Sequence, residues 1–245
     1  MEVTEQLSFD HRDRKDVYEY VERHGSVRED EIRRALNLDA TALGHHLAVL
    51  RREGYLRRDG DRIEVAYGDE PHERHEAGGE TYTIRRATQL DLDGLLAVVR
   101  EVAEEGTYIE AETVANALAH ERVVLRHNEL QSRMIFVATD EDDEVVGWVH
   151  LDLHEAEKLE HTAVLTVGLR EEVRGRDVGS ALLDRGVRWA SDHGLEKLYN
   201  SIPATNERAI AWLAAHGWER EAVRESHYKI EGEYVDEVMM AVDLR

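Results

Sequence analysis

The sequence predicts a two-domain chain of the α/β (α+β) class, and three observations carry that reading. Helix-type apolar periodicity runs through residues 12–54 and ends in a hairpin signal, a polar aperiodic stretch follows, and strand-like and helix-like runs then alternate from Tyr82 onward. The polar stretch, Gly68-Asp-Glu-Pro-His-Glu-Arg-His-Glu-Ala-Gly-Gly-Glu80, holds one of the chain's two prolines. It reads as a linker over 68–80 between domains at 1–67 and 81–245.

The 245 residues carry 31 basic and 53 acidic side chains, a formal charge of −22. That lies far beyond the roughly 2 to 8 charges usual for a small domain. Only four residues are lysines, and charged residues make up 34%, against an ordinary level of about 25%. So much like charge opposes compaction in dilute buffer, whereas molar salt shortens the Debye length to about 3 Å and screens it. The composition resembles that of proteins from salt-accumulating halophiles, and 42% hydrophobic residues disfavour a disordered acidic chain. Residues 1–75 hold 13 basic and 18 acidic groups (−5), and the remainder holds 18 and 35 (−17). The absence of cysteine excludes disulfides, thiolate metal sites and a cysteine nucleophile, and no metal is expected. No apolar run approaches the roughly 18 residues of a membrane span, and Met1-Glu-Val-Thr-Glu-Gln is not a signal region, so a cytoplasmic protein with no membrane partner is expected.

In the front domain Val17, Tyr20 and Val21 keep helical spacing up to Gly25. Ser26 with Glu29 reads as a capping box opening a second helix. Asp39 caps a third helix carrying Leu43, Leu47 and Leu50, and two short strands flank the turn dipeptide Asp59-Gly60. This order, with the phrase LAVLRREGYLRRDGDRIEV, resembles a winged helix-turn-helix over about residues 12–67. The resemblance implies DNA contact by Thr41, Gly44, His45, His46 and Arg51 of the third helix, with Arg57, Arg58 and Arg62 on phosphates. A charge of −5 and the lack of a basic residue early in the third helix weigh against DNA; the arginine cluster weighs for it. A protein-binding or dimerising winged helix is the alternative, and a homodimer stays open.

In the second domain the spacing predicts a strand at 82–86, helices over about 91–105 and 111–126, and strands at 134–138, 145–151 and 162–167. Val173-Arg-Gly-Arg-Asp-Val-Gly-Ser180 then opens a helix, and a strand running into a glycine-containing loop and a helix amino terminus favours anions. Asn206 is placed to cap a short later helix, and two strands around Glu231-Gly232 finish the chain.

The ordered runs LTVGLREEVRGRDVGSALL, NERAIAWLAAHGW and GEYVDEVMMAVDL resemble the Gcn5-related N-acetyltransferase (GNAT) family over nearly all of 82–245. The resemblance implies a mixed, mostly antiparallel central sheet flanked by helices and acetyl-CoA as cosubstrate, held in a splay between two strands. It implies that the backbone of Leu165, Thr166 and Val167 holds the acetyl and pantetheine arm. The amides of Val173, Arg174, Gly175, Arg176, Asp177, Val178, Gly179 and Ser180 would cradle the pyrophosphate, and Asn206 would touch the cofactor. The expected reaction is direct attack by an amine, of a small molecule or a protein, on the thioester carbonyl. It needs a fixed N–H at the developing oxyanion and a base for the ammonium proton. A glutamate serves as base in several branches six residues before the strand valine; here that position is His161, with Glu160 and His150 as the next candidates. Glu172 and Asp177 depart from the usual loop, with Arg174 and Arg176 available to offset them. Leu213 stands where several branches carry the tyrosine acid, leaving Tyr199, Tyr228 or water. These departures keep alive a second reading, a transcription regulator that senses acetyl-CoA or a metabolite without turnover.

Overall fold

The computed structural model describes residues 7–106, 108–128, 131–154 and 156–245. The amino-terminal domain consists of α1 (Arg12–His24), β1 (Ser26–Arg28), α2 (Glu29–Leu36), α3 (Ala40–Arg52), β2 (Leu56–Asp59) and β3 (Arg62–Val65), the strands forming an antiparallel sheet in the order β1-β3-β2. Its core gathers Val17, Tyr18 and Val21 of α1, Ile32 of α2, Leu43, Leu47 and Leu50 of α3, and Leu56 and Ile63 of the hairpin. Asp39 caps α3 by accepting the Thr41 and Ala42 amides at 2.8 and 2.9 Å. The expected box at Ser26 is not formed. Ser26 lies in β1, and the entry to α2 is fixed by the Arg28 amide donating to Glu31 Oε2 at 2.6 Å.

The second domain runs β4 (Glu73–Ala77), β5 (Glu80–Arg86), α4 (Leu92–Glu104), α5 (Ile109–Glu121), β6 (Arg126–His127), β7 (Ser132–Thr139), β8 (Val145–Leu153), β9 (Thr162–Leu169), α6 (Val178–Asp192), β10 (Lys197–Pro203), α7 (Glu207–Ala215), β11 (Glu219–Ile230) and β12 (Glu233–Asp243). Its mixed sheet has the order β11-β12-β10-β9-β8-β7-β5-β4, with β6 paired to β7. Every pairing is antiparallel except β9 with β10. The strands β7 and β8 are buried almost throughout, as befits the sheet centre, and α4 and α6 both pack on β8 and β9.

The stretch expected to be a linker contains β4, which pairs Glu73 with Ile84 through Ala77 with Glu80. Its side chains are polar on both faces, the pattern of an edge strand rather than a core one. Ion pairs from α6 hold it: Arg185 to Glu70 and Glu73, and Arg188 to Glu73.

A buried polar network joins the two domains. Glu22 of α1 is almost fully buried and accepts from Arg126 Nη1 at 3.0 Å, the His127 amide at 3.2 Å and Asn128 Nδ2 at 2.9 Å. Tyr18 donates its hydroxyl to the His127 carbonyl at 2.8 Å. Arg126 continues the chain of charges to Glu121, which also takes the buried Arg133. Breaking such a pair strands a buried charge, so the network fixes the docking of α1 on the larger domain.

One close approach sets the shape of β9. Gly168 sits opposite Trp148 on β8, and a Cβ at 168 would come within 2.2 Å of the buried indole ring. Gly168→Ala is therefore expected to cost about 1–3 kcal/mol through overpacking, read as a fall in thermal midpoint with folding retained; an unchanged midpoint would contradict the contact.

Candidate active site

Strands β9 and β10 run parallel but pair at only three positions, Thr162 with Lys197, Ala163 with Leu198 and Val164 with Tyr199. Beyond Val164 and Tyr199 they diverge, and a cavity of about 560 Å³ lies between Val167, Gly168 and Leu169 on one side and Asn200 and Ile202 on the other. At the fork the strands no longer satisfy one another's backbone groups. Asn200 takes over: its Nδ2 donates to the Leu165 carbonyl at 2.7 Å and to the Tyr108 hydroxyl at 3.0 Å. The Tyr108 hydroxyl also lies near the Val167 amide. A buried tyrosine from the start of α5 thus sits against the β9 amide that faces the opening.

The loop after β9 closes one wall. A 3-10 turn over Glu171–Val173 leads to Gly175 at φ 75° and Asp177 at φ 60°, a left-handed position that aspartate tolerates. No side chain caps α6. Its first amides therefore lack acceptors at the positive end of the helix dipole, while Gly175, Asp177, Gly179 and Ser180 line the cavity. The opposite wall is α7, capped by Asn206 Oδ1 accepting the Ala209 amide at 3.1 Å. His216 at its end meets Ser180 Oγ at 3.0 Å and so ties α7 to α6.

Of the residues expected to hold the cofactor, Val167, Arg174, Gly175, Asp177, Gly179, Ser180 and Asn206 line this cavity. Leu165, Thr166, Val173 and Val178 are buried behind it, where only their backbone has a role. The two arginines expected to offset the loop's acidity are already engaged. Arg174 pairs with Glu105 and donates to the Leu169 carbonyl, stapling the loop to the end of β9. Arg176 turns away to Glu80 at 2.8 Å and the Tyr82 hydroxyl at 3.2 Å. The cation left at the cavity is Arg208 of α7, which makes no ion pair among the described residues.

His161 is misplaced for a base. It is exposed just before β9, at the closed end of the fork, with its carbonyl accepting from Glu196 and Lys197. At about 3.3 Å per strand residue it stands roughly 17 Å along the chain from Thr166. Glu160 shares that end. His150 is buried, and burial followed by the Arg133 charge pushes its pKa down to about 3, which leaves a ring too weakly basic for the task. Tyr199 is occupied beneath the Lys197 ammonium and does not line the cavity.

Sequence reasoning missed the acidic group near Tyr108. Glu110, in the first turn of α5, has its pKa raised by burial and then by the charges of Glu237 and Asp152, with His227 opposing. Glu237 of β12 is buried, pairs with Arg224 at 3.0 Å, and lies 3.6 Å from His227 and 3.4 Å from the Tyr228 hydroxyl. The only advance signal was weak, namely acidic residues in a first helical turn.

The candidate DNA face fares differently. Thr41, His45 and Arg51 are exposed on α3, but His46 is buried and cannot enter a groove. Each wing arginine has an internal partner: Arg57 with Glu64 at 3.2 Å, Arg58 with Glu29, and Arg62 with the Ser26 carbonyl at 2.8 Å. Phosphate contact would have to displace these partners.

Comparison with known proteins agrees with the fork. Residues 98–218 match the model of the Acetyltransferase (GNAT) family. The L-methionine sulfoximine/L-methionine sulfone acetyltransferase of Pseudomonas aeruginosa is 29% identical over 138 residues, spanning 56% of this chain and 80% of that protein. A GCN5-related N-acetyltransferase structure from Kribbella flavida superposes with a TM-score of 0.55 at 22% identity, covering 66% of this chain and 97% of the other. A GNAT-superfamily phosphinothricin acetyltransferase from Sinorhizobium meliloti, solved with acetyl-CoA, gives 0.54 at 20% identity over 66% and 88%. The fork, the uncapped α6 and the family match together identify the protein as an acetyltransferase whose carboxy-terminal domain belongs to the GNAT family.

Proposed function

We propose that the protein transfers the acetyl group of acetyl-CoA to the amine of a small cationic acceptor by direct attack in a ternary complex. The observation that carries this is the fork: a cavity opening where β9 and β10 part, bounded by an uncapped helix amino terminus. The residues present fit the cosubstrate. The α6 amides and Arg208 suit the pyrophosphate and 3′-phosphate, and the β9 backbone between Leu165 and Leu169 suits the pantetheine arm. The Val167 amide, at the cavity beside Tyr108, is the donor suited to the carbonyl oxygen as it becomes an oxyanion.

Proton transfer falls to the start of α5. Glu110 lies two residues beyond the cavity-lining Tyr108, and its raised pKa makes it a better base than an ordinary glutamate. The attacking nitrogen loses its proton to Glu110 as the C–N bond forms. The tetrahedral intermediate collapses with cleavage of C–S, and the sulfur takes a proton from Tyr108, whose hydroxyl burial holds protonated. This replaces the acid missing at Leu213, which lines the cavity as an apolar wall. The carboxylates of Glu110, Asp152 and Glu237 favour a positively charged acceptor. The methionine sulfoximine acetyltransferase relative supports a small amine carrying its own amino group.

The amino-terminal domain is read as a winged helix acting as a docked accessory rather than a DNA reader, because its wing arginines are internally paired and α1 is anchored through Glu22. The chain's charge of −22 supports a halophilic setting.

CoA release should be measured with purified protein over a panel of amines in molar KCl and in dilute buffer. Turnover is expected at high salt and to fall in dilute buffer; absence of turnover and of acetyl-CoA binding at both would overturn the assignment. Because Glu110 must be ionised to act, kcat/KM should rise with pH through an acid limb lying above the usual glutamate value of about 4.3. Glu110→Gln should abolish that limb and cost about 100-fold or more, whereas an unaltered profile would exclude Glu110 as base. Tyr108→Phe should lower kcat by about tenfold while leaving acetyl-CoA affinity intact; an unchanged kcat would assign the thiolate's protonation to water.

A further inference from the structure

The amino-terminal domain carries a constellation that acetyl transfer leaves unused. His46 lies on the inward face of α3 among Leu43, Leu47 and Leu50 and is 7% exposed, yet its buried Nδ1 meets no hydrogen-bond partner. An apolar side chain would fill that position without the cost of a buried polar ring. The other nitrogen, Nε2, faces Asp13 Oδ2 at 3.6 Å, too far for a good hydrogen bond. His11 Nδ1 stands 3.9 Å from the same oxygen, and the two imidazole rings are 5.2 Å apart between centroids. One donor atom from each of the three residues falls within 4.8 Å of the others.

We propose that His11, Asp13 and His46 form a binding site for one divalent first-row transition ion. Donors around a tetrahedral ion with bonds of about 2.0–2.1 Å stand roughly 3.3–3.4 Å apart, so small side-chain rotations close the set. Two imidazoles and one carboxylate suit zinc, cobalt or nickel, whereas calcium and magnesium prefer all-oxygen shells. The half-exposed His11 and Asp13 give the ion an entry path and leave its remaining position to water. His11 Nδ1 now accepts the Asp13 amide at 3.1 Å; the ion takes that lone pair, and the amide, at an exposed helix start, turns to solvent. Since the donors come from the first turn of α1 and from the middle of α3, the ion ties the entry of the chain to the helix beneath it. Sequence spacing gives no sign of this site, because 33 positions separate Asp13 from His46 and only folding brings them together.

The test is calorimetric titration of full-length, chelator-treated protein with zinc chloride in KCl, with cobalt absorption as a second readout. The expected result is one equivalent bound at micromolar or tighter affinity, a tetrahedral-type cobalt spectrum, and a zinc-dependent rise in thermal midpoint. His11→Ala and Asp13→Ala, both with half-exposed side chains, should each weaken binding about tenfold or more while leaving acetyl transfer unchanged. Failure to bind one equivalent, or binding undiminished in both variants and therefore owed to other histidines, would overturn the site.

Discussion

The parting of β9 and β10 after three paired residues is the constraint on which the rest of the active domain depends. A parallel pair that ran its full length would bury its own backbone groups and leave nothing to bind. Here the chain spends a buried asparagine to hold the fork. Asn200 satisfies the Leu165 carbonyl and holds the Tyr108 hydroxyl, which lies near the Val167 amide. Gly168 lets β9 lie directly on the Trp148 ring, so the strand's course into the opening is set by an indole that cannot yield. The antiparallel partners on either side, β8 and β12, keep each prong rigid.

Charge is distributed so that the fork works with little help from side chains. The domain behind residue 75 carries −17, and the loop arginines Arg174 and Arg176 are consumed by Glu105 and Glu80. What remains for an anion is the uncapped start of α6 and Arg208. Backbone amides keep their dipoles whatever the net charge, and screening by salt removes the distant repulsion while leaving close contacts. On the side proposed for the acceptor the same acidity is an advantage, because Glu237 and Asp152 add to burial in raising the proton affinity of Glu110.

Local grammar was legible in the sequence, and long-range juxtaposition was not. Asp39 and Asn206 cap α3 and α7 as their spacing indicates, because these are contacts within a few residues. β4 escaped because Glu73-Arg-His-Glu-Ala77 is polar on both faces; its strand character comes from pairing with β5 and from arginines on α6 more than a hundred positions away. The family resemblance puts the base at His161, but the fork opens at the other end of β9. Tyr108 and Asn200 lie 92 positions apart, and neither carries a motif. The wing arginines looked free because their partners, Glu29 and Ser26, belong to other elements.

Backbone hydrogen exchange on the whole protein in molar KCl, with and without acetyl-CoA, tests the fork most directly. If the opening between β9 and β10 is the cosubstrate site, acetyl-CoA should slow exchange in segments 166–169 and 178–181 and leave α1 to α3 unchanged. Protection confined to other segments, with exchange in those two unaltered at saturating acetyl-CoA, would contradict it.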